Sequence, residues 1–395
     1  MSGLGLGVLL GIFWLAAAAL IWVYGVYPIF ARVYGALRPL RLQSAGRPPE
    51  LVTVGLAVHD GSGEIRERIA NILDQSVPFR VEVIVASDGS RDETPAIVRQ
   101  MAEADPRIRL LQLPRRGQSA AQSAIFEAAL GDLVVLTDLE TRFASGCLVA
   151  LVAPLGDSRV GCSTGVLRWL FDEATQTARH EGLYWRYEQA VRAWESRAGW
   201  LSAGTGALLA VRRSLYKPAP SHASLDQMLP LFCREARALV VVAEDAIGTD
   251  RGTTSQAEQF ASRVRIATQG IEANLRMSLR IPMRQPGTAL AVWSHKVLRW
   301  ATPLLGAGLV LSGVVIYFST ADAGYLVPIA AAGLIALLAL VGQIGRWLGH
   351  TIPLTGLPLT IAVVNLAFAL AWLNVILRRP IERWEPANDT GSKGI

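Results

Sequence analysis

The chain has 395 residues, 18% of them charged, with a formal net charge of +6 and a mean hydropathy of +0.34. It is too apolar for an ordinary soluble enzyme, and its modest basicity without an aromatic–basic motif excludes a nucleic-acid partner. The three cysteines, Cys147, Cys162 and Cys233, lack ligand-like spacing and imply neither a disulfide framework nor a zinc site.

The apolar excess is localised. Met1 to Phe30 carry no charge and include Trp14, Trp22, Tyr24 and Tyr27. The stretch is long enough to cross a bilayer, lacks a basic start and exceeds a signal-peptide core, so residues 1–31 read as a retained anchor. A linker over 32–50 contains Gly46 to Pro49. Near the other end, Ala301–Phe318, Tyr325–Gly342 and Leu354–Leu377 predict about three further spans within 301–379. Pro353 and Pro358 would allow the last to be tilted or re-entrant. Arg32, Arg38, Arg41 and Arg47 after the first span, and Lys296 and Arg299 before the second, put residues 32–300 in the cytoplasm of a bacterial-type inner membrane. Arg346 agrees. Arg378, Arg379 and Arg383 do not, because three crossings leave them outside; a re-entrant segment would reconcile them. Residues 380–395 read as a short tail, disordered from about Glu385.

Between the anchor and the C-terminal spans, strands alternate with helices. Leu51–Val58 predicts a strand, followed by the loop at Asp60 and a helix from about Glu64 to Leu73. Val81–Ala86 predicts a second strand running into Ser87-Asp88-Gly89-Ser90, with a helix from Thr94. Ile108–Gln112, the basic turn at 115–118 and a helix Ser119–Leu130 follow. This order predicts βαβ units and a mostly parallel α/β sheet. The central stretch is Leu133–Phe143, LVVLTDLETRF. Its apolar start fits a strand buried on both faces, and Asp138 and Glu140 follow at i, i+2, which on an extended backbone aims both to one side. Two carboxylates at a strand's carboxyl end are costly without a cation between them, although a solvated turn is the plain alternative. Asp60 and Asp88 stand at two other strand ends, and three acids so placed describe a nucleotide site.

The ordered motifs around Asp60, Ser87-Asp88-Gly89-Ser90, R-x-G-Q at 115–118 and T-D-L-E-T-R-F resemble glycosyltransferase family 2, and specifically its membrane-embedded polysaccharide synthases (the cellulose, hyaluronan and poly-N-acetylglucosamine type). The resemblance covers about residues 50–300 and implies a GT-A nucleotide-sugar-binding domain over 51–270. It implies that Asp60, Asp88, Gln118, Asp138, Arg263 and Arg265 bind the donor nucleotide, and that Asp138 and Glu140 hold Mg²⁺ or Mn²⁺. It further implies that Gly204, Thr205 and Gly206, within Leu201–Arg213, face the acceptor, and that Asp226 of LDQML is the general base. Implied partners are a nucleotide sugar, a polysaccharide or lipid-linked acceptor, the bilayer and accessory secretion subunits.

Five positions depart from the family pattern. Gln118 stands where many relatives have Lys, Glu140 replaces the second Asp but remains an oxygen ligand, Leu225 replaces an acid, Ser262 replaces a Gln, and Ile266 replaces a Trp associated with processive synthesis. The losses at 118, 225 and 266 motivate a rival reading as an inactive scaffold subunit, against which Asp138, Glu140 and Asp226 stand, and a transferase adding one sugar to a lipid carrier is a second rival. Locally, Asp226 is also compatible with a helix cap, and Arg263 and Arg265 with a basic stripe on lipid headgroups. Residues 271–300 are expected as interfacial amphipathic helices, in which His295 is packed or interfacial, with a catalytic role as the lesser alternative.

Overall fold

A computed structural model describes residues 3–43, 48–170, 176–219, 223–251, 256–278, 285–348, 350 and 352–379. The expected tail and part of the linker lie outside the described residues. The sheet has eight strands in the order β3-β2-β1-β4-β7-β6-β8-β5. These are β1 (Leu51–Val58), β2 (Arg80–Asp88), β3 (Ile108–Leu113), β4 (Leu133–Thr137), β5 (Arg142–Phe143), β6 (Val160–Leu170), β7 (Leu209–Arg212) and β8 (Leu239–Arg251). The first four are mutually parallel, whereas β7 runs antiparallel to both β4 and β6, and β5 antiparallel to β8. With β6 parallel to β8, four of the seven pairings are parallel, so the sheet is mixed with a parallel majority. Strands β1, β2 and β4 are buried on both faces, as unbroken Val/Leu/Ile runs require. Strand succession runs from β1 outward to β3 on one side and resumes with β4 on the other. A ligand crevice is expected outside the carboxyl ends of β1 and β4, where that direction reverses.

The first helix, α1 (Gly3–Leu37), has 35 residues and includes a π-turn at Trp22–Val26. At 1.5 Å per residue it is about 50 Å long, well beyond a hydrocarbon core of about 30 Å. It continues past the boundary expected at residue 31, and its last turns dock on the α/β domain. Tyr27 and Ala31 pack there with Val191 and Ala291. Connecting helices are α2 (Ile65–Leu73), α3 (Thr94–Ala104), α4 (Gln118–Ala128), α5 (Cys147–Val152), α6 (Gln176–Arg197) and α7 (Leu225–Glu235). Helix α8 (Gln256–Ser278) runs across the domain boundary expected at 270.

Residues 288–300 do not lie on the surface as an interfacial helix. They belong to α9 (residues 286–300), whose Ser294, His295, Val297 and Arg299 are buried. Three more long helices follow: α10 (Thr302–Thr320), α11 (Val327–Trp347) and α12 (Gly356–Ile376). With α1, four helices of the described residues are long and apolar enough to cross a membrane. Helix α12 is continuous, with Pro358 in its first turn where proline needs no hydrogen bond.

The far end of α12 returns to the domain. Trp372 Nε1 donates to Trp300 O at 3.0 Å, Thr302 Oγ1 and Asn365 Oδ1 lie 2.9 Å apart, and Val364, Phe368 and Ala371 pack on Ala267 and Ile271 of α8. Three full crossings after residue 302 would leave residue 376 remote from these partners. The contacts instead seat the second half of α12 against the domain, so that Arg378 and Arg379 follow beside it. With Gly63→Cys and Arg379→Cys placed singly in a chain lacking its native cysteines, an impermeant thiol reagent should label the two positions alike in intact cells, and both should react after lysis. Opposite labelling of the two positions would refute this arrangement.

Candidate active site

At the end of β1, Asp60 adopts a left-handed backbone (φ 51°), a region Asp tolerates better than most residues. Its Oδ1 accepts the Arg91 N–H at 2.6 Å and Oδ2 lies 3.3 Å from His59 Nε2. Gly61 N–H donates to Thr94 Oγ1 and Ser62 N–H to Asp92 Oδ2, both at 2.8 Å, so the loops after β1 and β2 are tied together. At the end of β2, buried Asp88 is committed to the chain itself. Its oxygens accept from Arg115 Nη1 at 2.9 Å, Arg116 N–H at 2.7 Å and Gly117 N–H at 2.9 Å. The backbone of Gly89 (φ 64°) passes so near Arg115 that any Cβ there would lie 2.8 Å from it. Asp88 therefore acts on the crevice through the 115–117 turn, which starts α4.

Beyond β4 the chain bends over 138–140 rather than staying extended, yet the alternation survives: Leu139 is buried while Asp138 and Glu140 are half-buried. Gln118, the first residue of α4, reaches Asp138 with Nε2 donating to Oδ1 at 3.3 Å. Burial, then repulsion from Glu140, Asp226 and Asp250, pushes the Asp138 carboxyl up to about 8 against the pull of Arg68. Burial also raises Glu140 above the ordinary carboxylate range. Across the described residues, no three His, Cys, Asp or Glu side chains enclose a metal by themselves. A pair of under-neutralised carboxylates is nonetheless a hard-oxygen donor set of the kind Mg²⁺ and Mn²⁺ take, with remaining positions left for substrate phosphates.

Asp226 is the second residue of α7, and Ser224 holds the cap position, so the helix-cap reading does not apply to Asp226. Its Oδ1 accepts from Ser224 Oγ and, at 2.9 Å, from Gln227 N–H. Its Oδ2 packs against Gly206, where a Cβ would collide with it. The loop expected to face the acceptor thus lies directly on Asp226, and Thr205 N–H fixes it by donating to Thr164 Oγ1 at 2.9 Å. From α8, Arg265 is drawn toward both Asp226 and Asp138, which oppose the lowering of its guanidinium by burial. Arg263 lies two residues earlier, about 200° around the same helix, and does not share that face. Gln227 Nε2 donates to Ile266 O at 3.2 Å and clamps α7 to α8.

Three residues of this neighbourhood carry no motif. Arg68 is fully buried beneath Asp138, with Nε donating to Asp138 O at 3.1 Å and Nη2 to Thr137 Oγ1 at 2.7 Å. A signal was legible, because Ile65, Arg68, Ile69 and Ile72 share one helix face and an arginine breaks that apolar stripe. Asp250, near the end of β8, and Arg192 of α6 are brought in by long-range packing that leaves no local pattern.

Residues 53–218 match the model for glycosyl transferase family 2. An N-acetylglucosaminyltransferase of Rhizobium meliloti (strain 1021) is 27% identical over 214 residues, 50% of this chain and 50% of the relative. Glycosyltransferase AglD of Haloferax volcanii is 37% identical over 103 residues, 26% of this chain and 16% of that protein. The chain thus spans half or less of these curated relatives. Among solved structures, the mannosyltransferase PcManGT from Pyrobaculum calidifontis, determined with GDP-Man and Mn²⁺, superposes with a TM-score of 0.69 at 20% identity, covering 93% of this chain and 99% of that one. That likeness establishes the fold. The chain thus has a GT-A glycosyltransferase fold, and its residues 53–218 are similar to glycosyl transferase family 2.

Proposed function

We propose that this chain is a membrane-bound, inverting glycosyltransferase that uses a nucleotide-sugar donor to build a cell-surface or extracellular polysaccharide at the cytoplasmic face of a bacterial inner membrane. The observation that carries this reading is the convergence of Asp138, Asp226 and Arg265 at the strand ends, with Arg265 on a helix that also packs on α12. A UDP-sugar is the first donor to test, with N-acetylglucosamine suggested by the relatives' names and GDP-mannose by the fold neighbour's.

In this reading Asp60 and the turn held by Asp88 border the nucleoside. Gln118 opens α4, whose first N–H groups suit the donor phosphates. Asp138 and Glu140 would hold a Mg²⁺- or Mn²⁺-type ion, which when bound supplies neutralisation of the departing diphosphate. Arg265 adds fixed positive charge on the same side. Asp226 accepts the proton of the acceptor hydroxyl while that oxygen bonds to the anomeric carbon and the carbon–phosphate oxygen bond breaks on the opposite face. The bare edge of Gly206 leaves the Asp226 carboxylate room to meet the acceptor. Arg263 remains a candidate for donor binding if α8 rotates, or for headgroup contact as it stands. Ile266, exposed where processive relatives carry Trp, favours as a second reading the transfer of one sugar to a lipid carrier. The intact acidic cluster weighs against an inactive scaffold.

Cation binding should be coupled to proton loss, because the raised Asp138 carboxyl must ionise first. Below its value of about 8 the affinity for Mn²⁺ in the presence of UDP should rise by up to about tenfold per pH unit and level off above it. Asp138→Asn should flatten that profile; calorimetry from about pH 6.5 to 9 reads both, and a wild-type affinity independent of pH would sink the assignment. For the base, Asp226→Asn should lower nucleotide release by about 10² to 10⁴ with little change in Mn²⁺–UDP affinity. Turnover near wild type would refute Asp226 as the base, and joint loss of turnover and donor binding would reassign it to the donor site.

A further inference from the structure

Outside the crevice, the described part of the domain holds a second dense set of charges, buried where α6, α9 and α1 meet. Glu188 and Glu195 lie two turns apart on α6 and are both buried. Glu195 Oε1 accepts from Tyr27 Oη of α1 at 2.5 Å and lies 2.9 Å from His295 Nδ1. The other ring nitrogen, Nε2, lies 3.1 Å from Glu188 Oε2, so the imidazole bridges the two carboxylates. Glu188 also meets Lys296 Nζ at 3.0 Å and the Arg299 guanidinium. Burial alone would raise the Glu188 carboxyl, but Lys296, His295 and Arg299 hold it well below the ordinary range. A group so surrounded is fixed in place, since removing any partner leaves a buried charge uncompensated.

The cluster has one arm that leaves it. Arg192, one turn after Glu188, directs Nε to within 3.4 Å of Glu188 Oε1. Its two terminal nitrogens point the other way, Nη1 donating to Thr205 Oγ1 at 2.6 Å and Nη2 to Gly204 O at 2.8 Å. The next residue, Gly206, is the one pressed against Asp226. A continuous set of contacts therefore runs from Tyr27 through Glu195, His295, Glu188 and Arg192 to the loop that borders Asp226.

We infer that Arg192 is a positioning residue for the transfer step: held by Glu188, its fork fixes Gly204 and Thr205 so that Gly206 keeps Asp226 aimed at the acceptor. The inference rests on the transferase reading above, because a precise Asp226 matters only if it takes the acceptor proton. The planar fork meets two acceptors at once, which a lysine ammonium of similar reach cannot do with the same geometry. The role differs from that of the donor-side groups, since the guanidinium is engaged with Glu188, Gly204 and Thr205.

The test uses full-length protein in nanodiscs, with Arg192→Gln and Arg192→Lys beside wild type. Hydrogen exchange reads the loop without any need for turnover. Losing the fork should speed exchange of the 204–206 amides by about 5- to 10-fold, the worth of a hydrogen bond, while β1 and β4 stay protected. Nucleotide release with the active donor should fall by about 10² in Arg192→Gln, the scale of a misplacement near 1 Å, with Mn²⁺–UDP affinity within about twofold of wild type. Arg192→Lys should recover part of both. Unchanged exchange at 204–206 overturns the inference, as does a loosened loop with undiminished turnover. A wild type inactive with every donor would sink the transferase reading by itself, and the exchange data would still decide whether Arg192 holds the loop.

Discussion

Carboxylate crowding at one edge of the sheet is the constraint on which the rest of the architecture depends. Asp138 and Glu140, Asp226, and Asp250 come from three separate stretches of chain, and burial together with their repulsion moves the Asp138 carboxyl far from its ordinary range. Such an arrangement persists only because positive groups and packing oppose it. Arg68 grips the backbone beneath Asp138, Arg265 approaches from α8, and the loops after β1 and β2 are hydrogen-bonded into one unit. In the function proposed above, a cation and a diphosphate would relieve this crowding, as at a site where fold stability is traded for function.

Much of the domain's first half was legible in the sequence for simple reasons. Runs such as Leu51–Val58 and Leu133–Leu136 are β-rich, short and bounded by polar turns, and the structure ends them within one or two residues of the expected positions. The acids after them were legible too, because parallel strands deliver their successors to one edge. The reversed direction of β7 was not. Its four residues, Leu209–Arg212, read only as an apolar segment after a glycine-rich loop, and strand direction is decided by partners in β4 and β6 that are distant in the chain.

The same limit explains α9. Aromatic and basic residues at helical spacing describe a helix at a membrane surface, and His295, Lys296 and Arg299 fit that description locally. Their partners Glu188 and Glu195 lie about a hundred residues earlier, and nothing near either segment announces the meeting. Arg68 is the contrasting case, since its anomaly sits within its own helix.

Helix α8 joins two environments with one rigid rod. One face carries Arg265 into the crevice, and a turn further on Ala267 and Ile271 seat against Phe368 and Ala371 of α12. A rod cannot tilt at one end alone. With α12 in a bilayer, a lean to match a thicker or thinner hydrocarbon layer would shift the guanidinium with it. Acyl-chain length would then be a coordinate of the proposed chemistry.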